Sequence, residues 1–186
     1  PLLFVNELER ELRGQRPWIE GVEIWREHED PMKLFAEIMR RRGLADAVIG
    51  VVDDAPWGWV NLLGQLLPNV RFTNVSPQLS SLRMVKTPEE VEWVRGACRI
   101  TDQSLRAGLD HLQPEMTERD LAAVFTAELN RRGGGETFCT VLFGERAALP
   151  HGAPSERRLK PGDAVLVDTG TTIHGYWSDI TRTVFL

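Results

Sequence analysis

The feature that most constrains the fold is a β-rich segment near the end of the chain. An apolar run at residues 165–167 leads into Asp168, and β-branched and aromatic residues follow it. The pair His174-Gly175 is a turn signal inside this segment, which predicts an antiparallel hairpin. Because the first strand of the hairpin is apolar, we expect that strand to be buried.

The predicted hairpin brings two carboxylates together. With a turn near residues 173–175, Asp168 and Asp179 lie opposite or nearly opposite each other. Facing carboxylates repel unless a proton or a cation lies between them, and an ionised carboxylate at the end of a buried strand is costly to desolvate without a partner. We therefore predict that the pair binds a divalent cation. Two alternatives stay open: an exposed strand end, which often carries acidic residues, and a register shift of one residue, which would separate the carboxylates onto opposite faces.

A histidine in a restricted loop is the third candidate site residue. His151 lies between Pro150 and Pro154, and Gly152 follows it directly. Most loop histidines face solvent without a special role. Here the prolines restrict the backbone and favour a fixed direction for the imidazole.

Strands and helices alternate through the first 85 residues. The pattern predicts strands near 2–5, 22–25, 47–52 and 71–75, and helices near 31–42 and 57–67. Asp30 is the expected N-cap of the first helix, Pro31 its first residue, and Gly43 its end. This alternation predicts a separate α/β unit with crossover helices.

Two longer helices follow a boundary near residues 84–87. Thr87-Pro88-Glu89-Glu90 has the threonine, proline and acidic residue of a capping box, and apolar residues then recur at helical spacing. Thr117 caps the next helix, which ends near residues 131–135. We interpret both helices as scaffold. The chain is predicted to have an α/β (α+β) fold with domains at 1–85 and 86–186.

Composition excludes several classes of function. The net charge is −5 and there is no dense basic patch, which argues against a nucleic-acid partner. No apolar run approaches the roughly 18–20 residues of a membrane span, so we expect no membrane partner. Cys98 and Cys139 fall in apolar or helical patterns, which favours buried, reduced thiols and a cytoplasmic location.

Several ordered motifs resemble one enzyme group. They are Lys86-Thr87-Pro88-Glu89-Glu90, Met116-Thr117-Glu118, Pro150-His151, Leu159-Lys160-Pro161-Gly162-Asp163, Val167-Asp168-Thr169-Gly170 and Gly175-Tyr176-Trp177-Ser178-Asp179-Ile180-Thr181-Arg182-Thr183. In this order they resemble the first half of the catalytic domain of the creatinase, prolidase and aminopeptidase P group. These are the pita-bread metallopeptidases, which also include the methionine aminopeptidases. Residues 1–85 are similar to the later part of the creatinase-type N-terminal domain, which favours a prolidase or aminopeptidase P type.

The resemblance implies a mechanism and site residues. Asp168 and Asp179 match the first two ligands of a two-metal centre, and His151 matches a histidine that hydrogen-bonds the substrate or the tetrahedral intermediate. Mn²⁺, Co²⁺, Fe²⁺ and Zn²⁺ all suit such ligands. The implied reaction is hydrolysis of an N-terminal peptide bond next to proline by a metal-activated water. We expect short peptides as substrates, and a homodimer.

The chain also departs from this group. The group's metal centre is completed by a histidine and two glutamates well beyond the second aspartate, whereas this chain stops at Leu186. The other histidines, His28, His111 and His174, do not match that position. We therefore expect an incomplete enzyme, inactive by itself: a truncated chain, a proteolytic product or the ordered part of a longer chain.

Two other functions stay open at this stage. A pita-bread protein without metal chemistry would be a binding module or a creatinase-type hydrolase, but retention of both Asp168 and Asp179 argues against it. Val167-Asp168-Thr169-Gly170 also matches the apolar-Asp-Thr-Gly motif of aspartic proteases, which need two copies. Only one copy is present. A homodimer could supply the second, but His151 would then have no role.

Overall fold

The computed structural model describes residues 2–14 and 18–185, which fall into two units, Pro1–Val85 and Lys86–Leu186. Each unit has its own cluster of buried apolar side chains. Within the described residues, no helix combines the length and the apolar character needed to cross a membrane.

The described residues of the first unit form two small parallel sheets and three α-helices. Its elements are β1 (Leu2–Asn6), a 3-10 helix (Glu7–Arg13), β2 (Gly21–Trp25), α1 (Pro31–Arg41), β3 (Val48–Val51), α2 (Trp57–Leu66), β4 (Arg71–Asn74) and α3 (Ser76–Met84). Strand β1 pairs with β2, and β3 pairs with β4. The core lies between α1 and α2, where Ala36, Met39, Leu63 and Leu67 are buried. The four predicted strands and two predicted helices are confirmed, whereas α3 was not predicted.

Local signals explain how α1 begins and ends. The Asp30 carboxylate accepts hydrogen bonds from the backbone N–H groups of Met32 (3.0 Å) and Lys33 (3.3 Å), as an N-cap should. Gly43, just beyond the helix, has a φ of +69°, the left-handed conformation that glycine adopts without strain. The predicted cap and stop signals of this helix are both confirmed.

The second unit packs two long helices on an antiparallel sheet. Its elements are α4 (Pro88–Leu109), α5 (Glu118–Arg131), β5 (Thr137–Phe143), a 3-10 helix (Gly144–Ala148), β6 (Ala164–Ile173), β7 (Tyr176–Trp177) and β8 (Ile180–Phe185). Thr87 and Thr117 each form a capping box at the start of a helix, which confirms both predicted caps. Strand β6 is central: it pairs with β5 on one side and with β7 and β8 on the other.

The two faces of β6 have different environments. Val165 and Val167 are buried on the face that packs against the helices, in a core that also contains Leu105, Leu121 and Phe125. Because successive side chains of a strand alternate between faces, Leu166 and Asp168 lie on the opposite face. The sheet thus has one face covered by α4 and α5 and one face available for a site.

The predicted hairpin turn is confirmed. Ile173 pairs with Tyr176, so His174 and Gly175 form a two-residue loop. Their φ angles are +49° and +80°, and positive values at both central positions characterise the type I′ turn that suits twisted antiparallel strands. This turn fixes the register of the strands that carry the two carboxylates.

Candidate metal centre

Asp168 lies in the middle of the sheet. Its neighbours across the ladder are Thr140 on β5 and Thr181 on β8. The Thr181 hydroxyl donates a hydrogen bond of 2.7 Å to Asp168 Oδ1. This bond uses one acceptor site of Oδ1 and restricts rotation of the carboxylate, while other lone pairs stay available to a cation.

Asp179 is diagonal to Asp168. Thr181 lies directly opposite Asp168, and Asp179 precedes Thr181 by two positions, just before β8 begins. Diagonal neighbours on one face are still close enough to interact. Local desolvation of the carboxylate, the charge of Asp168 and a hydrogen bond with Asp168 together raise the pKa of Asp179. The two carboxylates are therefore coupled, in the nearly opposite arrangement that the sequence predicted.

A buried hydroxyl fixes the backbone next to Asp179. In a regular antiparallel ladder the Thr171 N–H would donate to the opposite carbonyl, but it donates instead to Ser178 Oγ (3.1 Å). Ser178 Oγ also hydrogen-bonds Thr101 Oγ1 of α4 (2.7 Å). The Ser178 carbonyl lies so close to Gly170 that a Cβ there would be 2.0 Å from it, so this interruption of the strand requires glycine.

His151 lies above the open face of the sheet. Its loop follows the 3-10 helix Gly144–Ala148, and His151 is exposed to solvent. Gly152 packs directly on β5, since a Cβ at that position would be 2.7 Å from a methyl carbon of Leu142. Beside this contact, residues of the loop and of the sheet line a groove of about 470 Å³, and His151 and Asp168 are both among them. The structure thus brings His151 and Asp168 to one groove, with Asp179 beside Asp168.

The donor set suits part of a divalent metal site. Two coupled carboxylates repel each other, and a divalent cation between them would relieve that repulsion. Hard carboxylate oxygens suit Mn²⁺ and related ions. Among residues 2–14 and 18–185, however, there is no group of three or more His, Cys, Asp or Glu side chains that could hold a metal. The described residues fit a divalent metal as two of its ligands.

Neither cysteine belongs to this donor set. Cys98 and Cys139 are free and half-buried, as expected for reduced thiols. Burial, together with the nearby charge of Asp168, raises the pKa of Cys139 to about 11, although a hydrogen bond with Thr169 acts in the opposite direction. The Cys139 thiol therefore stays protonated at neutral pH in this structure.

Three residues that support the site were missed from the sequence. Thr181 follows from the register once the turn is fixed, so its contact with Asp168 had a usable signal. Ser178 had none, because its partner Thr101 is 77 positions away. Glu118 is an acidic residue in a first helical turn, which usually indicates only a favourable interaction with the helix dipole. In the structure it is completely buried and accepts hydrogen bonds from three residues.

Comparisons with known proteins point to one group. The family described as metallopeptidase family M24 matches residues 92–186. The chain is 34% identical over 190 residues to an Xaa-Pro dipeptidase of Lactobacillus helveticus, covering 99% of this chain and 51% of that protein. It is 44% identical over 128 residues to an uncharacterized peptidase of Schizosaccharomyces pombe, covering 67% of this chain and 28% of that protein. The chain thus spans about half, or less, of the length of these relatives.

Solved structures share the fold. Dipeptidase PepE from Mycobacterium ulcerans superposes with a TM-score of 0.85 at 30% identity, covering 100% of this chain and 50% of that one. Prolidase from Pyrococcus furiosus gives a TM-score of 0.79 at 26% identity, covering 97% of this chain and 55% of that one. These likenesses confirm the predicted α/β fold class and the resemblance to the prolidase group.

Proposed function

Because the chain belongs to metallopeptidase family M24, we propose that its protein is a metal-dependent peptidase that hydrolyses peptide bonds next to proline in short peptides. The observation that carries this proposal is the coupled pair of Asp168 and Asp179 beside a groove that His151 also lines. The names of relatives support the substrate class, since the Lactobacillus helveticus relative is an Xaa-Pro dipeptidase.

Asp168 and Asp179 would hold the metal, which we propose to be a pair of divalent ions such as Mn²⁺, Co²⁺, Zn²⁺ or Fe²⁺. When bound, such ions supply an activated water and polarise a carbonyl oxygen. Thr181 would keep the Asp168 carboxylate oriented through its 2.7 Å hydrogen bond. The hydroxyl of Ser178 would do the same for the backbone that carries Asp179.

His151 would donate a hydrogen bond to the substrate carbonyl or to the oxyanion that develops from it. The apolar side chains that line the groove, such as Leu142, Leu149 and Leu166, would contact the peptide and exclude water from around it. A donor aimed at developing charge in such surroundings stabilises the transition state more than the ground state. We assign His151 as the catalytic side chain in this half of the site.

Further parts of the proposal concern the whole protein. We propose that Pro1–Val85 is part of a creatinase-type N-terminal domain and that Lys86–Leu186 is the first half of a pita-bread domain. A homodimer and a cytoplasmic location also remain proposals. The second candidate function is a metal-free binding module, which is supported by the lack, among the described residues, of any group of three or more His, Cys, Asp or Glu side chains that could hold a metal.

The test uses the full-length protein, stripped of metal and reloaded with Mn²⁺, Co²⁺ or Zn²⁺. We expect hydrolysis of Xaa-Pro dipeptides, and much slower hydrolysis of the matched Xaa-Ala dipeptides. Asp168→Asn and Asp179→Asn should each lower both metal content and turnover, because each replaces a charged ligand by a neutral amide of the same shape. Wild-type protein that binds no metal and cleaves neither dipeptide would instead support the binding module.

A further inference from the structure

A buried carboxylate lies beneath the loop that carries His151. Glu118 is the first residue of α5, and its side chain has no contact with solvent. A charged group is costly to bury unless both of its oxygens are paired. The identity of its partners therefore shows what this residue holds in place.

Glu118 connects three segments of the second unit. Its Oε1 accepts hydrogen bonds from the Phe143 N–H (2.8 Å) and from Arg146 Nε (3.0 Å). Its Oε2 accepts hydrogen bonds from the Ser155 N–H (2.8 Å) and from Ser155 Oγ (2.6 Å). Arg146 in turn donates from Nη2 to the carbonyl of Ala153 (2.8 Å). The end of β5, the 3-10 helix and the following loop all meet at this carboxylate.

These partners lie on both sides of His151 in the chain. Arg146 precedes it, and Ala153 and Ser155 follow it, so the exposed histidine is at the tip of a loop whose two ends are tied together. Burial by itself would raise the pKa of Glu118, but the hydrogen bonds from Ser155, Phe143 and Arg146 lower it below its usual value. The carboxyl is therefore ionised, and its hydrogen bonds are of the stronger, charge-assisted kind.

We propose that Glu118 is the positioning residue for His151: by tying Arg146 to Ser155, it holds the loop so that the imidazole stays over the groove that Asp168 lines. The catalytic part of this inference rests on the proposed peptidase function. The structural part, the anchoring of residues 149–155, does not depend on it.

The decisive variant is Glu118→Gln in the full-length protein. An amide has one acceptor oxygen and an NH₂ group, so one of the two donor sets around the side chain would face another donor. We expect amide hydrogen exchange in residues 149–155 to become at least about tenfold faster, with exchange in α5 and β6 unchanged. Metal content should stay at the wild-type level, while kcat on an Xaa-Pro dipeptide falls about tenfold to 10²-fold and KM changes less.

A double-mutant cycle separates positioning from a general loss of structure. If Glu118 acts through His151, Glu118→Gln should lower kcat by less than about twofold once His151 is already alanine. Fully additive losses would overturn the proposal, as would unchanged exchange in residues 149–155. If Glu118→Gln does not fold, Ser155→Ala can replace it in the double-mutant cycle with His151→Ala. This substitution removes one donor to Glu118 and leaves the carboxylate paired with Arg146.

The neighbouring ion pair offers a matched control. Arg119 and Glu156 connect the same two segments at 2.6 Å, but both side chains are largely exposed, and exposed pairs contribute little. Glu156→Gln should therefore leave both exchange and kcat at wild-type values, and a loss equal to that of Glu118→Gln would overturn the proposal. If the wild type cleaves no Xaa-Pro dipeptide, the peptidase proposal fails, and the exchange measurement alone still decides whether Glu118 anchors the loop.

Discussion

Replacement of Ser178 by alanine tests the hydroxyl network beside Asp179. The substitution removes an oxygen that hydrogen-bonds both the Thr171 N–H and Thr101 Oγ1. Thr101, Thr171 and Ser178 are almost completely buried, so water cannot easily replace the lost partner. A buried polar group left without a partner costs about 1–3 kcal/mol.

The expected loss follows from the two orphaned groups. The Thr171 N–H would be left without an acceptor and would incur the full cost of a buried, unpaired polar group. The Thr101 hydroxyl can instead rotate towards a carbonyl of its own helix. We therefore expect Ser178→Ala to lower the free energy of unfolding by about 2–3 kcal/mol. The Thr171 amide should also exchange with solvent faster, because it would lose the acceptor that the Ser178 hydroxyl provides.

Ser104 provides the matched control in the same unit. Among the described residues, its hydroxyl is the one buried side-chain polar atom without a hydrogen-bond partner. Ser104→Ala should therefore raise the free energy of unfolding by up to about 1 kcal/mol, the opposite sign for the same chemical change. Urea unfolding and amide exchange would measure both variants. Equal effects of the two variants, or a Thr171 amide still protected in Ser178→Ala, would refute the reasoning.

Three further predictions concern the site and the fold. His151→Ala in the full-length protein should keep its metal content while kcat falls roughly 10²–10³-fold, the typical loss for one transition-state hydrogen-bond donor; loss of metal would make His151 a ligand. The 186-residue chain with Asp168 and Asp179 alone should bind Mn²⁺ weakly in a calorimetric titration, and tight binding of two equivalents would contradict the ligand count. Hydrogen bonding to Arg157 lowers the pKa of Asp163 to about 2. The ionised Asp163 carboxylate should therefore stabilise the fold fully above the pKa of about 4 that an aspartate has in the unfolded chain, and this stabilisation should disappear as the pH falls towards 2. Asp163→Asn should then destabilise the protein at pH 7 but not near pH 2 in urea unfolding, and a difference that persists at pH 2 would show another cause.

Local sequence signals determined much of the secondary structure. The caps at Asp30, Thr87 and Thr117 depend on contacts within three residues, so the printed sequence contains all of the partners. The His174-Gly175 turn is equally local, because the left-handed conformations that it needs are available at these two positions. Helix α3 was missed because its sequence has no clear apolar stripe. In the structure, accordingly, none of its residues is buried.

The sequence also determined which residues form the candidate site, because a turn and a period of two place Asp168 and Asp179 on one face. The sequence did not determine the diagonal register of the two carboxylates, or which neighbouring side chains hold them in place. The pairing of Asp168 with Thr181 depends on the register of the whole ladder, and the contact of Ser178 with Thr101 depends on how α4 packs on the sheet.

Glu118 shows the same division. From the sequence it is an ordinary acidic residue near a helix start, whereas the structure buries it against donors 25 to 37 positions away. Contacts over such distances form only when packing removes water from both partners, and no local pattern encodes that event. The sequence by itself therefore determined the caps, the turn and the candidate ligands. The tertiary structure alone decided how those ligands and His151 are held, because burial is a property of the packed chain.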